Sequence, residues 1–437
     1  MHTINEQTSI RKNVACLALL QAANYLLPLL VVPYLGRVLG AQTYGRLAFV
    51  QAVTQYFVLL TDFGFNLSAT RRIALNRSDR KQVSAIFWTT IGTKALLATL
   101  GLIALALISS CSTSLRECRT ILWCAYSTVL GTVLFPVWLF QGIERMSLLM
   151  FPMIAARFAI VPLIFVFVKT PAQVALVAAI QGGSLVSAGV IALTLTYRAK
   201  LVQWVRPTWN GIWAALIDAW HLFLSLAAVS LYSNTNTVLL RIAAGERAVG
   251  YFAAANQIRV AVSGLATPVS QAVYPRISAL MATSKDEAFA LIRKVLVVQG
   301  SGLFAASSIL LFAAPLVVRL LFGVHFAPAV QVLRWLAPVP FVVSLSNVLG
   351  IQTLIPLGKK EVLTRILLGA GLFNFMLVFA LSYGFAETGT AIGVLLTEVG
   401  VTVTIGAVLL QEGVPIFKRP LHAIVGAERV PVSTDVG

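Results

Sequence analysis

Residues 35–73 read LGRVLGAQTYGRLAFVQAVTQYFVLLTDFGFNLSATRRI. One apolar run ends at Leu35, a turn spans Gly40 to Gly45, and a second apolar run follows, carrying Gln51, Gln55 and Asp62. The stretch closes in a basic loop at Arg71 and Arg72. Apolar runs of this length repeat through the chain. About 20 residues at ~1.5 Å each cross a hydrocarbon core of ~30 Å. This hairpin therefore reads as two membrane crossings rather than as a buried soluble pair.

Composition agrees: 58% hydrophobic, 11% charged, with a mean hydropathy of +0.88. Soluble domains carry about a quarter charged residues. A transmembrane β-barrel would show alternating strands of about ten residues, which the sequence lacks. The first apolar run, after Arg11 and Lys12, is too long for a signal-peptide core and reads as a retained span. The fold expected is all-α and polytopic, with spans over 13–36, 44–66, 83–109, 119–141, 148–168, 172–196, 219–242, 248–275, 291–313, 331–356, 362–385 and 388–410, numbered 1 to 12 below. The organisation expected is an N-terminal six-helix half at 1–196, a cytoplasmic linker at 197–218, a C-terminal half at 219–412 and a cytoplasmic tail at 413–437. An amphipathic stretch at 209–220, bounded by tryptophans, suits the headgroup region at the end of that linker.

The net charge of +18 would suit nucleic acid, but its placement argues for topology. Of the 33 Lys and Arg, 21 fall in alternate segments beginning with the N-terminus and 9 in the opposite loops. Positive residues stay on the cytoplasmic side, so both termini are expected there. Lys94, Arg157 and Arg259 complete the total, and these three lie inside spans. Cys111 and Cys118 share one short outer loop where a disulfide is open to them, whereas Cys16 and Cys124 read as packing residues.

The hairpin has an image 205 residues on. GAQTYGRLAFVQA at 40–52 lies over GERAVGYFAAANQ at 245–257, aligning Gly40 with Gly245, Gly45 with Gly250, and Gln51 with Asn256. Arg71 then falls on Arg276. Six spans separate the copies, so both halves enter the membrane in the same sense. Their pseudo-two-fold axis is expected along the membrane normal, as in transporters whose halves rock about a central cavity.

Polar residues at membrane depth are costly, and their spacing is informative. Gln51, Gln55, Asp62 and Asn66 share one face of span 2. Gln21, Asn24 and Pro28 do so on span 1, Ser230, Asn234, Thr237 and Arg241 on span 7, and Asn256, Arg259, Ser263, Thr267, Ser270 and Tyr274 on span 8. Such groups can simply hydrogen-bond helices together. Four stripes at equivalent positions of the two halves favour a wet cavity. Arg259, Lys94 and Arg157 make that cavity cationic and suited to an anion, since a guanidinium fork fits phosphate oxygens. The alternative for each is a buried ion pair, such as Asp62 with a neighbouring cation. Asp62 and Glu398 are the acids available for ion coupling. No Gly-x4-Gly-Lys-Ser/Thr loop is present, His2, His221, His325 and His422 have no metal spacing, and no catalytic arrangement can be built. A transporter without a cofactor or metal is expected, not an enzyme. A drug or cation antiporter would want an acidic cavity, a polymerase or ligase a large outer loop, and a scaffold no stripes.

Three regions then carry a family resemblance: VVPYLGRVLGAQTYGRLAFVQAVTQYF with TDFGFNLSATRRIA (31–74), LLRIAAGERAVGYFAAANQIR with YPRIS (239–278), and VVRLLFGVHFAPAVQVLRWLAP with LIPLGKKE (317–361). The chain resembles the bacterial polysaccharide transporters, the O-antigen (Wzx-type) flippases, in the superfamily that also holds multidrug extruders and peptidoglycan-precursor flippases. The resemblance implies carriage of an undecaprenyl-pyrophosphate-linked oligosaccharide between leaflets of the bacterial cytoplasmic membrane, with a polysaccharide polymerase and a chain-length regulator as partners. It also implies a pyrophosphate site of cavity arginines on helices 1, 2 and 8. Arg259 fills the helix 8 position and Arg46 the outer end of helix 2, while helix 1 has only Arg37, at its outer end. The substrate contacts expected are therefore Arg259, Lys94, Arg157, Arg46, Arg241, Gln51, Gln55, Asn234, Asn256 and Ser263.

Overall fold

The computed structural model describes residues 2–111 and 113–415, with side chains from Leu27 onward apart from residues 113, 114, 151, 225, 228, 229 and 231–233. The stripe residues Gln21 and Asn24, together with Cys16 and the tail from 416, lie outside the described side chains. Among the described residues, eight helices are long and apolar enough to cross a membrane. Two of these, Leu27–Leu75 and Lys360–Gln411, are broken at Gly40 and Ala386 and make two spans each. The helix Trp209–Ser263, broken at Gly245, supplies the remaining two. The twelve expected spans are thus accounted for, and among the described residues there is no strand.

The paired glycines explain the hairpins. Gly40 (φ 71°, ψ 167°) and Gly245 (φ 80°, ψ −175°) occupy a backbone region essentially closed to residues with a Cβ. Each lets the chain reverse between spans without a loop. Gly45 and Gly250 then meet the opposite hairpin. A Cβ on Gly45 would lie 1.8 Å from the carbonyl oxygen of Glu246, and one on Gly250 would lie 1.9 Å from that of Ala41. Ala41 and Glu246 are themselves equivalent under the 205-residue shift, so the contact is reciprocal. Apolar side chains gain little by leaving lipid for one another, so close backbone approach at small residues is what holds the halves here. Leu47, Val50, Ala248 and Val249 close over it.

Several boundaries differ from expectation. The helix of span 7 begins at Trp209, so the amphipathic stretch forms its first turns. Trp209, Trp213 and Ile217 are exposed at helical spacing, and Ala215 and Ala219 are buried behind them. Thr208 caps the start by accepting from the Gly211 N–H. The extended segment before it is held by span 3: Trp88 Nε1 donates to the Gln203 carbonyl at 3.0 Å, and the Trp88 and Trp204 rings meet edge-on at 4.3 Å. Span 4 is three short helices, with Pro136 following the extended Phe135 between the last two. Span 8 tightens into a 3-10 turn at Gly264–Ala266, beside Pro268, before continuing as Thr267–Thr283. Span 10 ends in a π-helix, Asn347–Leu354. Cys111 and Cys118 are both free thiols, the first exposed and the second buried against Arg241, so the loop is not bridged.

Candidate functional site

The structure places most of the intramembrane charges in three groups. Lys94, expected in the cavity, is 1% exposed. Its ammonium sits 2.6 Å from Asp62 Oδ1 and donates to the Thr132 carbonyl at 3.1 Å. An isolated buried ammonium would be strongly disfavoured, and the carboxylate one span away removes that penalty. Lys94 and Asp62 are therefore the buried pair that the sequence left as the alternative, and Lys94 is taken out of the cavity.

Arg46 and Arg241 form the second group. Both are bound to Glu246: Arg241 Nη2 lies 3.0 Å from Oε1, and Arg46 Nε pairs with Oε2. Arg241 also stacks its guanidinium over Phe49 at 4.0 Å, a cation–π arrangement that favours a planar charge. One acid from the second hairpin thus joins a cation of span 2 to a cation of span 7. These arginines lie at the outer ends of their spans, beside a cleft of about 550 Å³ that also exposes Glu117. They brace the contact between the halves instead of facing the same cavity as Arg259. Glu246 carried a weak signal, as the acid in the outer turn GERAVG.

Arg259 defines the third group. Its Nε donates to Asn256 Oδ1 at 2.8 Å, one turn back on the same helix. With Ser263 it lines a cavity of about 400 Å³ between spans 8 and 10. Arg157 lies elsewhere, in a cleft of about 140 Å³ with Leu27 and Pro28 of span 1 and Gln181 of span 6. Gln51 Nε2 reaches that cleft's rim through Gln181 Oε1 at 2.8 Å. Gln55 is exposed, and Asn234 donates to Ser230 on its own helix. Glu398 is half-buried on span 12, where Thr402 donates to its carbonyl. Of the expected contacts, then, Arg259, Asn256 and Ser263 come together.

Two polar clusters were not anticipated. Asn374 Nδ2 donates to Asn236 Oδ1 at 2.7 Å and Thr397 Oγ1 donates to Asn374 Oδ1 at 3.2 Å, all three side chains being buried. A second cluster joins Ser270, Gln299, Ser344, Asn347 and Gln352 across spans 8, 9 and 10. The only signal for either was an amide inside an apolar run, which by itself is equally a helix-packing contact.

Comparison with known proteins places this geometry. A family model described as "Polysaccharide biosynthesis protein" matches residues 10–281. A protein of Escherichia coli (strain K12) named "Putative O-antigen transporter" is 38% identical over 394 residues, covering 90% of this chain and 95% of that one. A protein of the same name from Shigella dysenteriae is 32% identical, covering 89% and 97%. Among solved structures, the lipid II flippase MurJ in an inward closed conformation matches with a TM-score of 0.71 at 11% identity, covering 91% and 87%. An inward-facing multidrug resistance MATE family transporter of the MOP superfamily matches at 0.68 and 15%, covering 94% and 96%. These last two share the fold.

Proposed function

The chain belongs to the polysaccharide biosynthesis protein family, and we propose that its task there is to flip a lipid-linked oligosaccharide across the bacterial inner membrane. It is a multi-pass membrane transporter whose relatives are named for O-antigen transport. The substrate in this reading is an undecaprenyl-pyrophosphate-linked repeat unit, moved from the inner to the outer leaflet. Arg259, oriented by Asn256, holds the pyrophosphate, and Arg157 with Gln181 and Gln51 offers a second cationic stop on the N-terminal half. The two halves alternately open inward and outward about the axis relating their hairpins. A polysaccharide polymerase and a chain-length regulator act on the delivered unit.

The observation that carries the reading is the placement of charge. Asp62 is neutralised by Lys94, and Glu246 by two arginines. Arg259 meanwhile lines a cavity in which, among the described residues, it is the sole ionisable one. An antiporter for cationic drugs, the second reading that the shared fold suggests, would instead need an acid at the cavity. Ion coupling, where it drives the cycle, runs through Asp62 or through Glu398. The test is complementation of a flippase-null strain. Arg259→Ala, inserted at normal levels, is expected to lower surface polysaccharide at least about tenfold, the scale of one lost charge-assisted contact. Full complementation would sink the assignment.

A further inference from the structure

Behind Arg259 the cavity continues inward along span 8 to Ser270, 11 residues or about 16 Å at ~1.5 Å per residue. Of its lining, Ser270, Ser344 and Asn347 are neutral hydrogen-bonding groups set among apolar Pro340 and Val343, and they connect to Gln299 and Gln352 behind them. Ser270 Oγ lies 3.4 Å from both Gln299 Oε1 and Asn347 Oδ1 and accepts from Gln352 Nε2 at 3.0 Å. Gln299 Nε2 in turn donates to Ser344 Oγ at 3.1 Å. Gln299, Ser344 and Gln352 are each more than nine-tenths buried.

Helix packing alone does not account for this cluster. One of its polar atoms, Gln352 Oε1, and the cavity-lining Ser263 Oγ are buried with no hydrogen-bond partner among the described residues. Ser84 and Ser187 on other spans donate to a carbonyl four residues back. Ser263, at the 3-10 tightening of span 8, does not. Asn347 accepts through Oδ1 from Ser270 and Gln352, which leaves its NH2 without a partner among the described residues at the cavity wall. It also opens the π-helix Asn347–Leu354, a backbone form frequent at functional sites. Glue clusters satisfy their own groups, whereas here the Asn347 NH2 and the Ser263 hydroxyl are held in reserve at the cavity.

We infer that the Ser270–Ser344–Asn347 wall is a sugar subsite, which reads the residue attached next to the pyrophosphate through its hydroxyl or acetamido groups. The inference rests on the reading of Arg259 as the pyrophosphate contact. A lipid entering from the cytoplasmic leaflet with its pyrophosphate at Arg259 trails its sugar inward, toward Ser270. A volume of about 400 Å³ admits one hexose with its linking phosphates. The wall's chemistry selects a neutral sugar, because amides and hydroxyls offer no cation to pair with a uronic acid.

The test uses the full chain in lipid nanodiscs and two short polyprenyl pyrophosphate probes, one bare and one bearing a single neutral N-acetylated hexose. With two or three added hydrogen bonds, the sugar probe is expected to bind about tenfold more tightly than the bare one. Asn347→Leu should bring that ratio to about one and leave bare-probe affinity unchanged. Ser344→Ala, which frees Gln299, should lower it to about threefold and serves if the first variant does not fold. Equal binding of both probes by the native protein would overturn the subsite. So would a ratio untouched by both variants, or an Asn347→Leu loss that is the same for both probes. Arg259→Ala separates the two assignments. If it leaves the bare probe unaffected while Asn347→Leu still removes the sugar preference, the subsite stands and the pyrophosphate assignment falls.

Discussion

The hairpins at Gly40 and Gly245 share a backbone and differ in what they seal. The inner-going arm of the first, span 2, is fastened to the second hairpin's turn and to span 7: Arg46 to Glu246 at the outer end, Tyr56 to Thr235 at 2.8 Å midway, and Phe63 stacked on Phe223 at 4.3 Å at the inner end. The equivalent positions on the second arm, 205 residues on, are Tyr251, Ala261 and Pro268. Neither Ala261 nor Pro268 can repeat the hydrogen bond or the ring stack of its counterpart. Pro268 and Val269 are exposed, Leu265 is 63% exposed, and Leu30, the counterpart of Thr235, is 58% exposed. Among the described residues, one seam between the halves is stitched by polar and aromatic pairs where the other presents Leu30, Leu265, Pro268 and Val269. Among these residues the backbone two-fold thus carries a chemical asymmetry.

The reciprocal contact common to both hairpins is the place to break the comparison hardest. Gly45→Val must push a side chain into the Glu246 carbonyl, and Gly250→Val does the same against Ala41. Neither backbone can yield, so each should cost about 3 kcal/mol or more, read as loss of folded protein and of surface polysaccharide. Gly183→Ala, where a Cβ meets nothing within 4 Å, is the control and should behave as the native chain.

The buried pair beneath the stitched seam comes next. Asp62→Asn strands Lys94 and should cost about 3–5 kcal/mol, whereas Asp62→Asn with Lys94→Met should recover most of that loss. Thermal unfolding in detergent checks both, and equal melting of the single and double variants would show that the pair is not what holds spans 2 and 3. A smaller effect, about 1 kcal/mol, is expected for Tyr56→Phe, which removes one partly buried hydrogen bond from the stitched seam. Ala261→Ser, the same position on the other arm, should leave melting unchanged. A matching loss at both would erase the asymmetry.

The smallest effect lies outside the membrane. Arg77 holds the Glu144 carboxyl below its usual range by a 2.8 Å hydrogen bond, and both groups are exposed. A lowered carboxylate contributes at neutral pH, and its contribution is lost as pH falls through the lowered value. Solvent and salt screen such a pair, so Glu144→Gln should shift melting barely at pH 7 and not at all in strong acid.

The twelve crossings, the family, and the partnership of residues 40–52 with 245–257 were legible in the chain because they follow from local rules. Hydropathy over some twenty residues sets a crossing. A glycine with positive φ sets a turn. The candidate site was legible only in part. The sequence placed Arg259, Asn256 and Ser263 on one helical face; Arg259 and Ser263 line one cavity, and Asn256 accepts from Arg259. It could not tell Arg259 from Lys94, because a cation facing water and one facing a carboxylate look alike in a single span. Nor could it see that Glu246 would claim both Arg46 and Arg241, or that Ser270, Gln299, Ser344, Asn347 and Gln352 would converge. Those outcomes depend on which helices become neighbours, and inside a membrane the pairing of buried polar groups, unlike their presence, is decided by tertiary packing.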